Sequence, residues 1–425
     1  LGGARPARPP ARPRPLIHAP PEPARSPAGA EGWPGRAMPK KPPETTQGLG
    51  ELESENISVQ LRHVCLEYPY KQLEAATKGF SDSCRLGEGS AATVYLAELP
   101  DGSQAAVKVI DLAALGDNVA VAGFEDEIMI LSKFRHPNLV VLMGWAKEGH
   151  RRFLLYEFMP GGDLSGRLNK SKAGSRPFLW HERLSVARDA ATGLAHLHNA
   201  TPRAFHRDIK TANILLGTSG AKMADFGLSC VSKTRTGSAV ECEFPSGTPG
   251  YACPIYMQTG TVTEGSEMHS FGMVLLEVIL NIVPAGVVNG EIVYPLQDSV
   301  NPLGPGGLER VIGMADPTAG WPPPVAREVA SLALSCIASD EGKRPAFNAV
   351  CRHLRALLEQ FPPTCVMGMH MWPPGSMTPP MAPPGMHGPG GPAGPRGMPG
   401  PRGFGTGPGP MVPQHVGPPG RPPGP

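Results

Sequence analysis

The residues best suited to chemistry lie close together near the middle of the chain. Asp208 is followed by Lys210 and Asn213 within the run Phe205-His-Arg-Asp-Ile-Lys-Thr-Ala-Asn213. A carboxylate can accept a hydroxyl proton, an ammonium can neutralise the charge of a transferring phosphate, and an amide oxygen can bind Mg²⁺. A polar surface loop would not be expected to hold these groups in this order, so the run predicts a phosphoryl-transfer site.

Two other positions could supply charged groups to such a site. Asp225, in the run Ala224-Asp-Phe-Gly227, offers a second carboxylate for a metal ion that bridges phosphates. Lys108 lies in an apolar run, where an unpaired ammonium would be costly to bury. A phosphate together with Glu127, in the next predicted helix, would explain its position. Considered alone, Lys108 would more often be an edge-strand lysine whose ammonium reaches solvent.

A glycine-containing stretch precedes these residues. Gly87 and Gly89 lie between two strand-like runs in Leu86–Tyr95. Glycines at such a turn let backbone amides approach phosphate oxygens, because no Cβ stands in the way. Turns between strands often contain glycine, so this signal is weak by itself. A dinucleotide-binding loop is disfavoured, since a strand rather than a helix follows.

The elements that must position these residues are predicted in a clear order, strands first and helices second. This order predicts an α+β fold with a small β-rich N-lobe and a larger helical C-lobe. The predicted strands are 84–99, 104–110, 139–145 and 152–157. The predicted helices are 121–134, 180–199, 263–280, 324–338 and 346–360, and Asp163 is a predicted N-cap.

Composition divides the 425-residue chain into three parts. Residues 1–50 form a Pro/Arg-rich tail and 362–425 a Pro/Gly/Met-rich tail, and both are predicted to be disordered. About 300 residues remain, enough for a large core. This middle part carries a net charge of about −6, so no nucleic-acid partner is expected.

The cysteines and the apolar runs bear on where the protein acts. The eight Cys contain no C-x-x-C pair, which favours reduced thiols in the cytoplasm. The apolar run Phe271–Val288 contains Glu277, Asn281 and Pro284, which favour a buried helix over a membrane span. No signal peptide is evident, and membrane association stays open if an N-terminal segment is missing.

The ordered motifs together resemble the signature of eukaryotic protein kinases. The resemblance covers roughly 80–361 and is strongest to the tyrosine-kinase-like group, near the Pelle, interleukin-1-receptor-associated and plant receptor-like serine/threonine kinases. The stretches that carry this similarity within the group are Leu73–Ser81, Arg135–Val140, Leu155–Pro160, Gly193–His198 and Gly247–Tyr251. The implied fold is the bilobal protein-kinase fold, and the implied activity is transfer of the ATP γ-phosphate to protein Ser/Thr hydroxyls.

The resemblance also implies a role for each site residue. The expected cofactors are ATP and Mg²⁺, and the expected partner is a protein substrate. The implied catalytic residues are Asp208, Lys210, Lys108 and Glu127. The implied nucleotide contacts are Leu86, Gly87, Glu88, Gly89, Val94, Ala106, Lys108, Tyr156, Glu157, Met159 and Leu215, and the implied metal ligands are Asn213 and Asp225. Tyr156 would be an aromatic gatekeeper, with the hinge at 157–159.

Arg207 suggests regulation, because in the family such an arginine can pair with a phosphate on the activation segment, here Asp225–Ile255. The candidate phosphate acceptors are Ser232, Thr234, Thr236, Ser238 and Ser246. An activating phosphate would add about −2 charge and three acceptor oxygens, enough to order a loop.

Four positions depart from the family pattern. Ala92 replaces the third glycine, and 204–205 is Ala-Phe instead of an aliphatic pair. Ile255 replaces a glutamate whose arginine partner corresponds to Arg344, so we expect Glu341 or Asp340 to compensate and Ile255→Glu to raise the melting temperature. Glu267 replaces an aspartate, and its extra methylene is expected to misplace hydrogen bonds to the catalytic loop.

Two other readings stay open. The chain could be an ATP-binding pseudokinase or scaffold whose activation segment is too loose for turnover. The Pro-rich tails, for example 5–10, could adopt polyproline II and dock on SH3- or WW-type modules.

Overall fold

The computed structural model describes residues 59–89, 92–115 and 123–362. These residues belong to one compact unit of the chain. The two predicted tails lie outside the described residues, apart from Pro362, and so does the predicted SH3/WW docking motif.

The first lobe is built on an antiparallel sheet of five strands in the order β1-β2-β3-β5-β4. Its strands are β1 (Arg85–Glu88), β2 (Thr93–Glu98), β3 (Gln104–Asp111), β4 (Leu142–Glu148) and β5 (Arg151–Glu157). The predicted strand 84–99 is therefore two strands. The chain reverses between them, and Gly87 lies opposite Val94 across the resulting antiparallel pair.

Residues 59–79, upstream of the predicted domain boundary, pack against this sheet. The backbone of Trp145 on β4 accepts a hydrogen bond from Tyr68 N at 2.7 Å and donates one to Leu66 O at 2.9 Å. Leu73, in the helix Tyr70–Ala76, is fully buried in an apolar cluster with Phe153 of β5. The N-lobe core therefore begins before residue 80.

The second lobe is mainly helical. Two helices, Leu112–Leu115 and Phe124–Lys133, lie between β3 and β4 along the chain. The α-helices of the described chain after β5 are Leu164–Lys172, Trp180–Asn199, Pro254–Thr259, Glu264–Leu280, Pro295–Val300, Gly307–Gly313, Pro323–Cys336 and Phe347–Gln360. Short strand pairs lie among them: Ala204–Phe205 with Cys230–Val231, Ile214–Gly217 with Gly220–Met223, Ala239–Glu241 with Thr261–Thr263, and Gly286–Val288 with Glu291–Val293. The predicted helices agree with these bounds to within a few residues.

The helix Glu264–Leu280 runs through the core of this lobe, with nearly all of its residues buried. Its first turn is capped by the Thr263 side chain, which accepts a hydrogen bond from Ser266 N. Asn281 ends it in the left-handed conformation, so the apolar run beginning at Phe271 does not continue as one helix. Within the described ranges, no helix has the length and apolar content needed to cross a bilayer.

The predicted N-cap at Asp163 is also observed. Its carboxylate accepts a hydrogen bond from Gly166 N at 2.8 Å, and the helix Leu164–Lys172 begins directly after it. This helix starts where the chain enters the second lobe from β5. The cap therefore satisfies a backbone N–H of the first turn, which has no partner within the helix.

Candidate active site

A lysine and two carboxylates meet between the two lobes. Lys108, in the middle of β3, donates to Glu127 Oε2 at 2.8 Å and to Asp225 Oδ1 at 2.7 Å. Glu127 lies on the helix Phe124–Lys133 and is fully buried. Because the strand, the helix and the start of the activation segment each supply one residue, the ion pairs depend on all three packing together.

The charges within this cluster support one another. Burial by itself would lower the pKa of Lys108, but the carboxylates of Glu127 and Asp225 outweigh it and raise the pKa above its ordinary value. Burial would raise the pKa of Asp225, whereas the Lys108 ammonium lowers that pKa below its usual range. The lysine is therefore a permanent cation at neutral pH.

The residue after Asp225 anchors the segment. Glu127 Oε1 accepts a hydrogen bond from the backbone N–H of Phe226 at 3.1 Å. The Phe226 side chain is fully buried, and its ring contacts that of His206 at 4.7 Å. Asp225 itself has φ of 64°, a left-handed conformation uncommon for residues other than glycine and often found at functional sites.

A second polar cluster surrounds Asp208. Its Oδ1 accepts a hydrogen bond from Thr248 Oγ1 at 2.6 Å, and its Oδ2 lies 2.7 Å from Lys210 Nζ. Lys210 also donates to Thr248 Oγ1 at 2.9 Å, which closes a triangle of carboxylate, ammonium and hydroxyl. Asn213 Nδ2 donates to Asp208 Oδ2 at 3.0 Å. Because Thr248, Lys210 and Asn213 all contact it, the Asp208 carboxylate has a defined orientation.

Backbone contacts connect the two clusters. Ala224 N donates to Asn213 O at 2.9 Å, and Ala224 O lies 3.0 Å from His206 Nε2. His206 Nδ1 accepts from Asp208 N at 3.3 Å, so Nε2 carries the proton donated to Ala224 O. Ala224 directly precedes Asp225, and the catalytic loop and the Asp225 carboxylate are therefore fixed relative to each other.

The predicted nucleotide-contacting residues lie on the elements that surround these clusters. Ala106 pairs with Tyr156 across β3 and β5, and Val94 pairs with Lys108 across β2 and β3. Gly89 N donates to Ala92 O at 2.8 Å, which closes the turn after β1. The remaining predicted contacts, by location, are Leu86, Gly87 and Glu88 on β1, Glu157 at the end of β5, Met159 just after it, and Leu215 in the strand Ile214–Gly217.

Two of these side chains are engaged elsewhere. Glu157 is held by Lys222 Nζ at 2.7 Å and by Val141 N at 2.8 Å. Glu88 is exposed and pairs with Arg85 at 3.0 Å. Any contact that these two residues make with a nucleotide would therefore come from the backbone more readily than from the carboxylate.

The predicted metal ligands suit a magnesium ion. Asn213 uses its amide nitrogen on Asp208, which leaves its oxygen, the atom that Mg²⁺ prefers, to act as a ligand. Asp225 supplies one carboxylate. In the described part of the chain no three His, Cys, Asp or Glu residues are grouped to hold a metal by themselves. Few protein ligands are what Mg²⁺ requires when phosphates complete its shell.

Glu267 is not misplaced by its extra methylene, as the sequence had suggested. One of its carboxylate oxygens accepts a hydrogen bond from Arg207 N, and the other lies 2.7 Å from His198 Nε2. Both Glu267 and His198 are buried. The longer side chain reaches the catalytic loop because His198 holds its second oxygen.

Arg344 also differs from expectation. Its guanidinium donates to the carbonyl oxygens of Ala338 at 2.8 Å and Gly265 at 2.9 Å, and to Cys253 Sγ at 3.3 Å. The suggested compensating residues are engaged elsewhere, since Glu341 accepts from Thr263 Oγ1 and Asp340 pairs with Lys343. Carbonyl dipoles and a sulfur atom therefore satisfy a buried cation that a carboxylate would bind more strongly.

A carboxylate introduced at position 255 as a partner for Arg344 is expected to stabilise the fold. Ile255→Glu should raise the melting temperature by roughly 2–4 °C, equivalent to about 1 kcal/mol, because a charge-assisted bond replaces a neutral one. Ile255 is only partly buried, against Phe205, Cys253, Tyr256 and Val262, so little packing is lost. Calorimetry of the two variants Ile255→Glu and Ile255→Gln measures the charge contribution. No gain over Gln would contradict the pairing with Arg344.

The Thr248 hydroxyl gives a second expected result. Thr248→Val keeps the side-chain shape but removes the bonds to Asp208 and Lys210. Hydrogen bonds to charged groups contribute about 1.5–3 kcal/mol, so we expect kcat for phosphate transfer to fall by roughly 10–100-fold. Thr248→Ser restores the hydroxyl and should recover most of the rate. Equal rates in Val and wild type would mean that the triangle does not position Asp208.

Several residues of the site were not among the predicted site residues. His206 orients the catalytic loop, Phe226 anchors the activation segment, and Thr248 completes the Asp208 triangle. The motif Gly247–Tyr251 was the available signal for Thr248. Among the predicted phosphate acceptors, Ser232 is buried, whereas Thr234, Thr236 and Ser238 are exposed. Phosphorylation of the segment stays a prediction.

The fold and the site together define a class. A five-stranded lobe, a helical lobe, and a lysine, a glutamate and two aspartates between them are the parts of a protein kinase. The family model of the protein kinase domain matches residues 80–354. The chain belongs to this family, and the predicted family and bilobal α+β fold are confirmed.

Similar proteins come from the plant Arabidopsis thaliana. Probable serine/threonine-protein kinase PBL7 is 34% identical over 315 residues, covering 72% of this chain and 82% of that protein. Probable serine/threonine-protein kinase PBL2 is 35% identical over 306 residues, covering 68% of this chain and 70% of that protein. Receptor-like kinase TMK4 is 42% identical over 215 residues, which are 50% of this chain but only 23% of the receptor. The aligned part of this chain covers between 23% and 41% of four of the receptor kinases that it matches, and 67% of one receptor-like serine/threonine-protein kinase.

Proposed function

We propose that this chain is an ATP-dependent serine/threonine protein kinase whose catalytic unit spans residues 80–361, with the two tails as accessory segments. The observation that carries the proposal is the triangle of Asp208, Lys210 and Thr248 beside the ion-paired cluster of Lys108. The matched kinase domain and the names of the relatives support it.

In this proposal the Lys108 cluster binds the phosphates. Lys108, held by Glu127, places a fixed positive charge beside the α- and β-phosphates. Asn213 and Asp225 would hold Mg²⁺, which would neutralise phosphate charge when bound. Gly87 and Gly89 allow the backbone of the first turn to approach the phosphates. Adenine would lie among Leu86, Val94, Ala106 and Leu215, with hinge contacts from 157–159 beside Tyr156.

The Asp208 cluster acts on the substrate hydroxyl. Asp208 accepts the hydroxyl proton and orients the oxygen, while Lys210 offsets the negative charge on the transferring phosphoryl group. Thr248 holds both residues in place, as its hydrogen bonds at 2.6 and 2.9 Å indicate. The protein thus contributes position and charge, since phosphoryl transfer needs little covalent chemistry from it.

Lys210 and its bond to Thr248 favour serine and threonine over tyrosine as acceptors. Lys210 two residues after Asp208, together with Thr248, resembles the pattern of serine/threonine kinases, and this resemblance supports the proposed specificity. The names of PBL2 and PBL7 describe them as serine/threonine-protein kinases, which is the same acceptor specificity. We also propose a cytoplasmic location, with which the seven free cysteines of the described chain are consistent.

The proposal is tested by phosphate transfer from Mg-ATP to peptides that differ only in having Ser, Thr or Tyr as acceptor. Wild type should phosphorylate the Ser and Thr peptides, and Asp208→Ala should lose about 10²–10⁴-fold in rate. Nucleotide binding by Asp208→Ala, measured by calorimetry, shows that the variant is folded. Binding of ATP by wild type without transfer would favour the pseudokinase alternative, and preferential tyrosine phosphorylation would overturn the specificity.

A further inference from the structure

Arg207 joins two limbs of the activation segment that are distant along the chain. Its Nη1 donates to Leu228 O at 2.9 Å and its Nη2 to Phe244 O at 2.8 Å. Its Nε donates to the Tyr256 hydroxyl at 2.8 Å. The guanidinium therefore holds the outgoing limb, near 228, against the returning limb, near 244.

Each limb carries a cysteine two residues from the carbonyl that Arg207 binds. Cys230 pairs with Phe205 in a short antiparallel ladder, and Cys242 N donates to Gly260 O at 2.8 Å. Both cysteines pack on one apolar cluster, whose buried members are Phe205, Cys253, Tyr256 and Val262. The backbone of each limb is thus anchored independently, and both cysteines pack against the same cluster.

The two thiols also share one cavity. Cys230 and Cys242 line a cavity of about 710 Å³ between the activation segment and the helix Phe124–Lys133. Burial raises the pKa of the Cys230 thiol, and the neighbouring Cys242 side chain raises it further. Both cysteines are free and partly exposed. A small oxidant can therefore reach two thiols that line the same cavity.

We propose that Cys230 and Cys242 form a reversible disulfide that ties the two limbs of the activation segment together in the arrangement described here. The oxidant is a hydroperoxide such as hydrogen peroxide. One thiol attacks the peroxide, the O–O bond breaks, an S–O bond forms, and water leaves. The second thiol displaces the sulfenic oxygen, forming the S–S bond and releasing a second water. A dithiol reductant reverses the link.

The link has a structural consequence for the site. It encloses the loop from Val231 to Glu241, which includes the exposed residues Thr234 and Thr236, and it reinforces the closure that Arg207 makes by hydrogen bonds. Because the limbs keep their present positions, Thr248 remains against Asp208. The oxidised segment is therefore expected to stay competent for phosphate transfer.

The test uses the 425-residue chain with the substitution Cys365→Ser. This substitution removes the one cysteine that lies outside the described residues, so that it cannot form a disulfide of its own. Protein is treated with limiting hydrogen peroxide, its remaining thiols are alkylated, and it is digested with trypsin without reductant. Trypsin cuts after the exposed residues Lys233 and Arg235, so the link joins two otherwise separate peptides. We expect this joined pair, with the loss of two thiols and a mass lower by two hydrogens, and its disappearance after dithiothreitol.

Two variants make the test specific. Cys242→Ser should abolish the joined pair, whereas Cys351→Ser, which removes another partly exposed thiol, should leave it unchanged. Oxidation of Cys230 or Cys242 without a mutual link, or a link to a different cysteine, would overturn the proposal. Measuring the rate of phosphate transfer is the one part of the test that rests on the proposed kinase function. We expect equal transfer rates before and after oxidation. A lower rate with the disulfide formed would contradict the proposal that the link keeps the activation segment in its present arrangement.

Discussion

Lys108→Met is expected to slow phosphate transfer strongly and to destabilise the fold at the same time. The substitution removes the only group seen to pair with Glu127 Oε2 in the described structure, and Glu127 is fully buried. An unpaired buried charge costs about 3–5 kcal/mol when its partner is removed. Loss of the phosphate-binding cation should lower kcat/KM by about 10²–10³-fold.

A double variant separates these two effects. Lys108→Met/Glu127→Gln removes both charges, so most of the lost stability should return while the activity does not. Glu127→Gln alone keeps the acceptor for Phe226 N and tests whether charge or shape holds the lysine. Chemical denaturation and steady-state kinetics measure the two quantities. Recovery of activity in the double variant would show that Lys108 serves the fold and not the phosphates.

Glu277→Gln is expected to stabilise the protein at alkaline pH and to change little at acidic pH. Glu277 is buried beneath the catalytic loop, where it accepts hydrogen bonds from the Thr211 hydroxyl at 2.9 Å and from the Tyr251 hydroxyl. Burial raises its pKa to about 7, and the nearby Asp163 carboxylate adds to the rise, although the two hydroxyls oppose it.

The direction of this pH dependence follows from the pKa of Glu277 in the unfolded chain and in the folded chain. The unfolded carboxyl ionises near its ordinary pKa of about 4.5, whereas the folded one stays protonated up to about 7. The free energy of unfolding is therefore highest below about pH 4.5, falls progressively as the pH rises to about 7, and does not recover above that pH. A difference of about 2.5 pKa units corresponds to about 3 kcal/mol at pH 8, and less than about 1 kcal/mol at pH 5.

Unfolding of wild type and Glu277→Gln across this pH range tests the prediction, with the glutamine variant more stable at pH 8 by up to about 3 kcal/mol. Tyr251→Phe is the companion variant. It removes a hydroxyl that favours the ionised carboxylate, so the loss of stability should extend to higher pH. A stability difference between Glu and Gln that is the same at pH 5 and pH 8 would contradict a raised pKa.

Much of the site could be predicted because its residue types and their order are unusual. Lys108, Asp208, Asn213 and Asp225 were chosen by chemistry, and the structure brings all of them together. Helices were located to within a few residues because their apolar periodicity and caps are local features. The N-cap at Asp163 is one such feature.

Other parts could not be predicted because they depend on contacts between distant residues. The packing of 59–79 against β4 depends on hydrogen bonds to Trp145, far along the chain, which no local pattern specifies. The expectation that Glu267 would be misplaced considered side-chain length alone, and it was wrong because His198 lies where it can bind the second oxygen. The compensation expected at Arg344 was also wrong, since backbone carbonyls that are invisible in the sequence satisfy the cation.

The amino-acid sequence by itself determined the kinase family, the two-lobed order of strands and helices, and the identity of the groups able to handle phosphate, metal and proton. Tertiary structure alone decided which atoms meet: Lys108 with an aspartate 117 residues away, and Arg207 with carbonyl oxygens on both limbs of the activation segment. The physical reason is that propensity, patterning and residue chemistry are local, whereas ion pairing, desolvation and hydrogen-bond partners depend on packing between elements far apart along the chain.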